Sequence, residues 1–156
     1  MRWLFCLFLF VVTACPAYCD VRAEMVQVSD SVFSGNGTPD LIAWENFTMQ
    51  LTPEMDPVDI ASLFKPESKA SNEQRQAAQM VFLKSQGAAA LLERGGKTVT
   101  QFLMGKGFTM SMSEHEFNPA LFFFKPGEPT RRFDFVRQGG KLKLARVSLT
   151  KPTQND

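Results

Sequence analysis

The sequence predicts an α+β fold, with N-terminal helices packed on one face of a C-terminal antiparallel meander of four to five strands. Three observations carry this expectation. Helix start and stop signals crowd the stretch between Thr38 and Gly96. Two-residue alternation dominates after Lys97. Gly139-Gly140 then splits the last alternating stretch into a hairpin. Runs of helix followed by runs of strand give segregated layers, whereas alternating βα units would give a parallel sheet.

The chain opens on Arg2 and an apolar run at residues 3–12 with Cys6 as its mild exception, followed by small residues. This is the pattern of an export signal, placed at residues 1–19. The run is shorter than the roughly 20 residues that span a bilayer. Two processing routes stay open. Ala17-Tyr18-Cys19 fits the small-x-small rule, with cleavage before Asp20. Val12-Thr13-Ala14-Cys15 is similar to a bacterial lipobox, which makes Cys15 a lipidation candidate, although Pro16 departs from a favourable context. The expected product is exported to a periplasm or the extracellular space, and it contacts a membrane only if Cys15 carries a lipid. All three cysteines, Cys6, Cys15 and Cys19, lie in or beside this segment. Cleavage before Asp20 therefore leaves a domain without disulfide, thiol nucleophile or thiolate ligand.

Residues 20–37 read as a lead-in, with a short strand at 25–28 and turn-rich sequence at 30–37. A single domain at 38–150 and a polar tail at 151–156 follow. Thr38-Pro39 is a helix start, with Thr at the cap, Pro in the first turn and Asp40 beside the positive end. Leu41 and Trp44, with Phe47 and Leu51 as further candidates, would face inward, and Pro53 ends this helix. Asp56-Pro57 starts a shorter one with Ile60, Leu63 and Phe64 as its apolar side. Ser71 and Gln74 form a capping box for the longest helix. Its expected apolar face is Ala77, Met80, Val81, Gly87, Ala88, Leu91 and Leu92, with Lys84 among them. Gly87 predicts a break near residues 85–87, and Gly95-Gly96 the end.

Strands are expected at residues 98–104, at 108–113 with Phe108, Met110 and Met112 alternating against Thr109, Ser111 and Ser113, and at 121–124 between Pro119 and Pro126. The hairpin has a definite register. A two-residue Gly-Gly turn puts Phe135 opposite Leu144 and Val136 opposite Lys143. Phe133, Phe135, Leu142 and Leu144 then share one face, and Asp134, Val136, Lys141 and Lys143 the other. The apolar positions change parity between Leu144 and Val147, so either a one-residue bulge near Ala145-Arg146 restores the face or both faces are partly covered there and no bulge is needed.

Cleavage before Asp20 removes Arg2 from 17 basic residues and nothing from 16 acidic ones. A net charge near zero argues against nucleic acid as a partner. The charges are unevenly placed. Residues 20–60 hold eight carboxylates and only Arg22 as a base, while from Asn118 onward eight bases face three acids. Arg131, Arg132, Arg137, Lys141 and Lys143 are the candidate residues for an anionic ligand or an acidic envelope protein.

The segment from Phe133-Asp134-Phe135 through Gly139-Gly140-Lys141-Leu142 to Val147 resembles the end of the cystatin-like superfamily that includes ketosteroid-isomerase-like proteins. The resemblance covers this hairpin and the order of elements. It implies a curved sheet and an apolar cavity between sheet and helices, used for catalysis in some members and for protein contacts in others. The enzyme members use a carboxylate base with Tyr or acid groups at an oxyanion. Here the single Tyr, Tyr18, falls in the signal, and Asp134 is assigned to the outer face.

Met110, Met112 and His115, with Met104 as a further sulfur, are the residue types that hold Cu(I). Met110 and Met112 share a strand face with Phe108, so core packing explains them as well. Glu114-His115-Glu116 lacks the partner that would complete a triad. Asn36-Gly37-Thr38 and Asn46-Phe47-Thr48 match the glycosylation acceptor, which matters only in a eukaryotic source. No cofactor motif appears. The sequence reading is a non-enzymatic binding module of the cell envelope. A ketosteroid-isomerase-like cavity enzyme, with its carboxylate sought among Glu45, Glu93, Glu114 and Asp134, is the alternative.

Overall fold

The computed structural model describes residues 16–34, 37–50, 58–113 and 118–151. Within them the chain is α+β, with helices mostly before strands. The helices are α1 (Pro16–Phe33), α2 (Asn72–Gln86), α3 (Ala88–Glu93) and α4 (Val99–Gly105). Strands β1 (Thr48–Met49), β2 (Val58–Asp59), β3 (Thr109–Ser113), β4 (Ala120–Phe124), β5 (Thr130–Gln138) and β6 (Lys141–Thr150) form one sheet in the order β2-β1-β6-β5-β4-β3.

The meander β3–β6 is antiparallel throughout, and its hairpin has the expected register. Phe135 pairs with Leu144, Val136 with Lys143 and Gln138 with Lys141. Gly139 and Gly140 turn the chain at φ 58° and 77°, a region that costs glycine little. The register shifts between Asp134 and Phe135, so that Arg146 faces Asp134 and Ala145 is the extra residue. The bulge therefore sits where the change of apolar parity allowed for it, and the alternative without a bulge does not hold. Phe133, Phe135, Leu142 and Leu144 are all buried, Leu144 completely.

Other expectations are corrected. The strand expected at 25–28 lies inside α1, where Met25, Val28 and Val32 follow helical spacing and are buried. The strand expected at 98–104 is instead helix α4, Val99–Gly105, with Thr98 as its N-cap. Thr98 accepts from Gln101 N–H, and the Gln101 side chain accepts from Thr98 N–H, so a capping box outweighs the β-branched composition. The helix expected from Thr38 shrinks to two 3₁₀ turns, Pro39–Leu41 and Trp44–Asn46. Pairing with β6 takes precedence there. Ala43 N–H donates to Leu144 O at 2.9 Å, and Ile42 bridges Leu144 in parallel. β1 also runs parallel to β6, so the sheet is mixed at this side. The next short helix is a 3₁₀ turn, Ile60–Leu63, capped by Asp59; Asp56-Pro57 lies outside the described residues.

Helix α2 has the expected capping box, and Gly87 separates it from α3. Its buried face is not the expected one. Phe82 and Leu83 go inward, while Met80 and Val81 are exposed, as is Leu92 of α3. The reason is a second aromatic nucleus. Phe82 meets Trp44 edge-on at 5.7 Å and Phe47 at 5.1 Å, and Trp44 also stacks near Phe64 at 5.2 Å. Such pairs add to plain burial and fix the rotation of the helix.

The main core fills the space between α1 and the sheet. Phe133 touches Phe33 at 5.6 Å and Phe123 at 5.5 Å, ring centroid to ring centroid. Glu24 of α1 ties the hairpin to that helix. Its carboxylate accepts from Leu142 N–H at 3.1 Å and from Arg137 Nη2 at 3.0 Å.

Candidate functional site

Alternation places Leu121, Phe123, Phe133, Phe135, Leu142, Leu144 and Val147 on the face toward the helices. The opposite face of β4–β6 carries Phe122, Arg132, Asp134, Val136, Gln138, Lys141, Lys143, Arg146, Ser148 and Thr150. Four cations and a single carboxylate thus lie on the outer side of the final hairpin and its neighbour. Asp134 is on this side, as its register requires.

Asp134 is shared between two guanidinium groups. Arg132 Nε donates to Oδ1 at 2.7 Å and Arg146 Nε to Oδ2 at 3.0 Å. The Arg132 guanidinium also lies over the Phe122 ring, 5.2 Å from its centre. The Asp134 side chain is only 13% exposed, whereas Arg132 is 39% and Arg146 49% exposed. The carboxylate therefore orients both cations from beneath and leaves them facing outward with a positive surplus. Beside them lies a shallow pocket of about 170 Å³, edged by Gln50, Arg132, Arg146, Ser148 and Thr150.

The five basic residues singled out from the sequence do not form one surface. Arg132, Lys141 and Lys143 are on the outer face. Arg131 belongs to the other register and lies over the Phe108 ring, 4.2 Å from its centre, with Glu128 at 3.9 Å. Arg137 turns to Glu24 and to Gly140 O. Arg146 was not among the sequence candidates, yet the bulge brings it opposite Asp134. The clue was present in the change of parity that predicts the bulge.

The carboxylate candidates for a cavity enzyme are dispersed. Glu93 is exposed on α3, Asp134 is held by its two arginines, and Glu114 is outside the described residues. Glu45 is exposed at the edge of a groove near Trp44. Met110 and Met112 pair with Phe123 and Leu121 and pack against the core. His115, the nitrogen ligand of the copper reading, lies outside the described residues, as does Cys15. Met104 is exposed on α4. No group of three His, Cys, Asp or Glu among the described residues is arranged to hold a metal ion. No helix among them is long and apolar enough to cross a membrane.

No protein-family model matches this chain, and no curated protein matches it. Among solved structures, it is similar to a calcium/calmodulin dependent protein kinase II association-domain-like structure from Xanthomonas campestris. The identity is 13%, with 91% of this chain and 94% of that chain covered and a TM-score of 0.36. That likeness says nothing of ligand, partner or chemistry here.

Proposed function

We propose that this chain is an exported, non-enzymatic binding module whose outer sheet face receives an anionic partner of the cell envelope. One observation carries the reading: of the residues that β4–β6 place on that face, Arg132, Lys141, Lys143 and Arg146 are cations and Asp134 is the one carboxylate, already held by two of them. A surface of one sign attracts an opposite one over distances set by the salt concentration. Export is supported by the N-terminal pattern of Arg2 and the apolar run.

Polyglutamate and vesicles with anionic head groups are the probes. Binding to either weakens as salt rises. Lys141→Glu with Lys143→Glu lowers affinity several-fold, while the charge-matched pair Lys84→Glu with Lys97→Glu on the helical side leaves it unchanged. Binding that ignores salt, or that both pairs weaken equally, refutes an outer-face site. The intact mass of the exported chain separates the two processing routes: a lipid on Cys15 means a tethered protein, and a bare chain beginning at Asp20 a soluble one.

A further inference from the structure

A groove of about 340 Å³ opens where the Trp44 turn, the first half of α2 and the tip of the β5–β6 hairpin meet. Ligand sites span about 300–1,000 Å³, so this volume suits a molecule at the small end. Its apolar side is Ile42, Trp44 and Phe64. The Trp44 indole N–H is committed to Pro39 O at 2.8 Å, so this side chain presents a ring and no free donor.

The polar lining holds both signs. Arg75 is fixed in place by the carbonyls of Leu63 at 3.0 Å and Ser68 at 3.3 Å. Lys143 supplies a second cation and Glu45 an anion. Gln79 and Gln138 add two amides, each with donors and an acceptor. A pure anion would meet Glu45, a pure cation would meet Arg75 and Lys143, and an apolar molecule would strip water from the amides without replacing it. We infer that the groove binds a small amphoteric aromatic ligand, of the size of one or two amino-acid residues. Its carboxylate is taken by Arg75 and Lys143, its ammonium by Glu45, and its ring by Phe64 and Trp44. The inference does not rest on the anionic-partner reading, with whose sheet face it shares Gln138 and Lys143.

The test titrates the full chain with the dipeptide phenylalanyl-phenylalanine and follows the Trp44 indole N–H resonance. A saturable shift at millimolar concentration or below is expected. Acetylating the peptide amine weakens binding to the natural chain several-fold but not to Glu45→Gln. Amidating the peptide carboxylate weakens binding to the natural chain and does so less for Lys143→Gln. Both substitutions sit on exposed or half-exposed groups, so folding is preserved. Glu45→Gln leaves polyglutamate binding intact, which separates this site from the sheet face. The absence of a saturable shift, or blocking penalties that persist unchanged in both variants, overturns the inference.

Discussion

Two single-residue deletions in β6 test the bulge directly. Removing Ala145 takes out the extra residue. Phe135 still meets Leu144, Asp134 still meets Arg146, and every side chain keeps its face. The loss is one largely buried methyl group, about 0.8 kcal/mol. Removing Lys143 shortens the strand equally but on the other side of the bulge. Regular pairing then places Leu144 outward beside Val136 and Ala145 inward against Phe135. Leu144 is fully buried in the native chain, so this amounts to a core Leu-to-Ala replacement, costing about 2–5 kcal/mol. The lysine itself, half-buried on the outer face, accounts for under about 0.5 kcal/mol. Urea unfolding measures both deletions, provided the denaturant slopes agree. Equal losses, or a larger one for the Ala145 deletion, would show that Ala145 is not the surplus residue.

Three further outcomes are expected. Phe135→Ala costs about 3–5 kcal/mol because its ring is buried opposite Leu144, while Lys143→Ala costs under about 0.5 kcal/mol; comparable melting losses would void the assignment of faces. Thr98→Ala removes one arm of the α4 capping box and costs about 0.5–2 kcal/mol, read by thermal unfolding, and Thr98→Ser restores most of it. The Glu128 carboxyl titrates below the usual glutamate value because Lys125 hydrogen-bonds to it, with further attraction from Lys125 and Arg131. Its favourable contribution is therefore complete above the ordinary glutamate value and is lost as pH falls through the lowered one. Lys125→Gln moves the NMR midpoint upward; an unmoved midpoint would remove the lysine as the cause.

The parts legible in the sequence were those with strict periodicity and a defined turn. Gly139-Gly140 and period two fix the hairpin, and the misfit of Val147 with Leu144 reveals the bulge. The missed parts are places where two local rules disagree. Val26 and Val28 alternate like a strand, yet Met25, Val28 and Val32 satisfy a helix. Residues 98–104 look strand-like, but Thr98 and Gln101 satisfy the capping box already recognised at Ser71 and Gln74. On α2 the more numerous apolar residues stay outside because Phe82 fits between Trp44 and Phe47, a contact no helical period contains. The site was half legible. The outer position of Asp134 followed from the register, but its two arginine partners required the bulge. The groove joins residues from four separated segments and has no local signature.

β6 is the last of the described strands along the chain and yet an inner strand of the sheet. On one side it pairs with β5, and on the other Ala43 and Gln50 donate to Leu144 and Val147. A chain growing from its N-terminus therefore carries its Trp44 segment and β1 without this hydrogen-bonding partner until Lys141–Thr150 has been made. These contacts join distant parts of the chain, so their loop closure weighs on the rate at which the native state forms. A stop codon within β6 would release both flanks of the sheet at once. The Trp44 segment and β1 thus join the sheet only through β6.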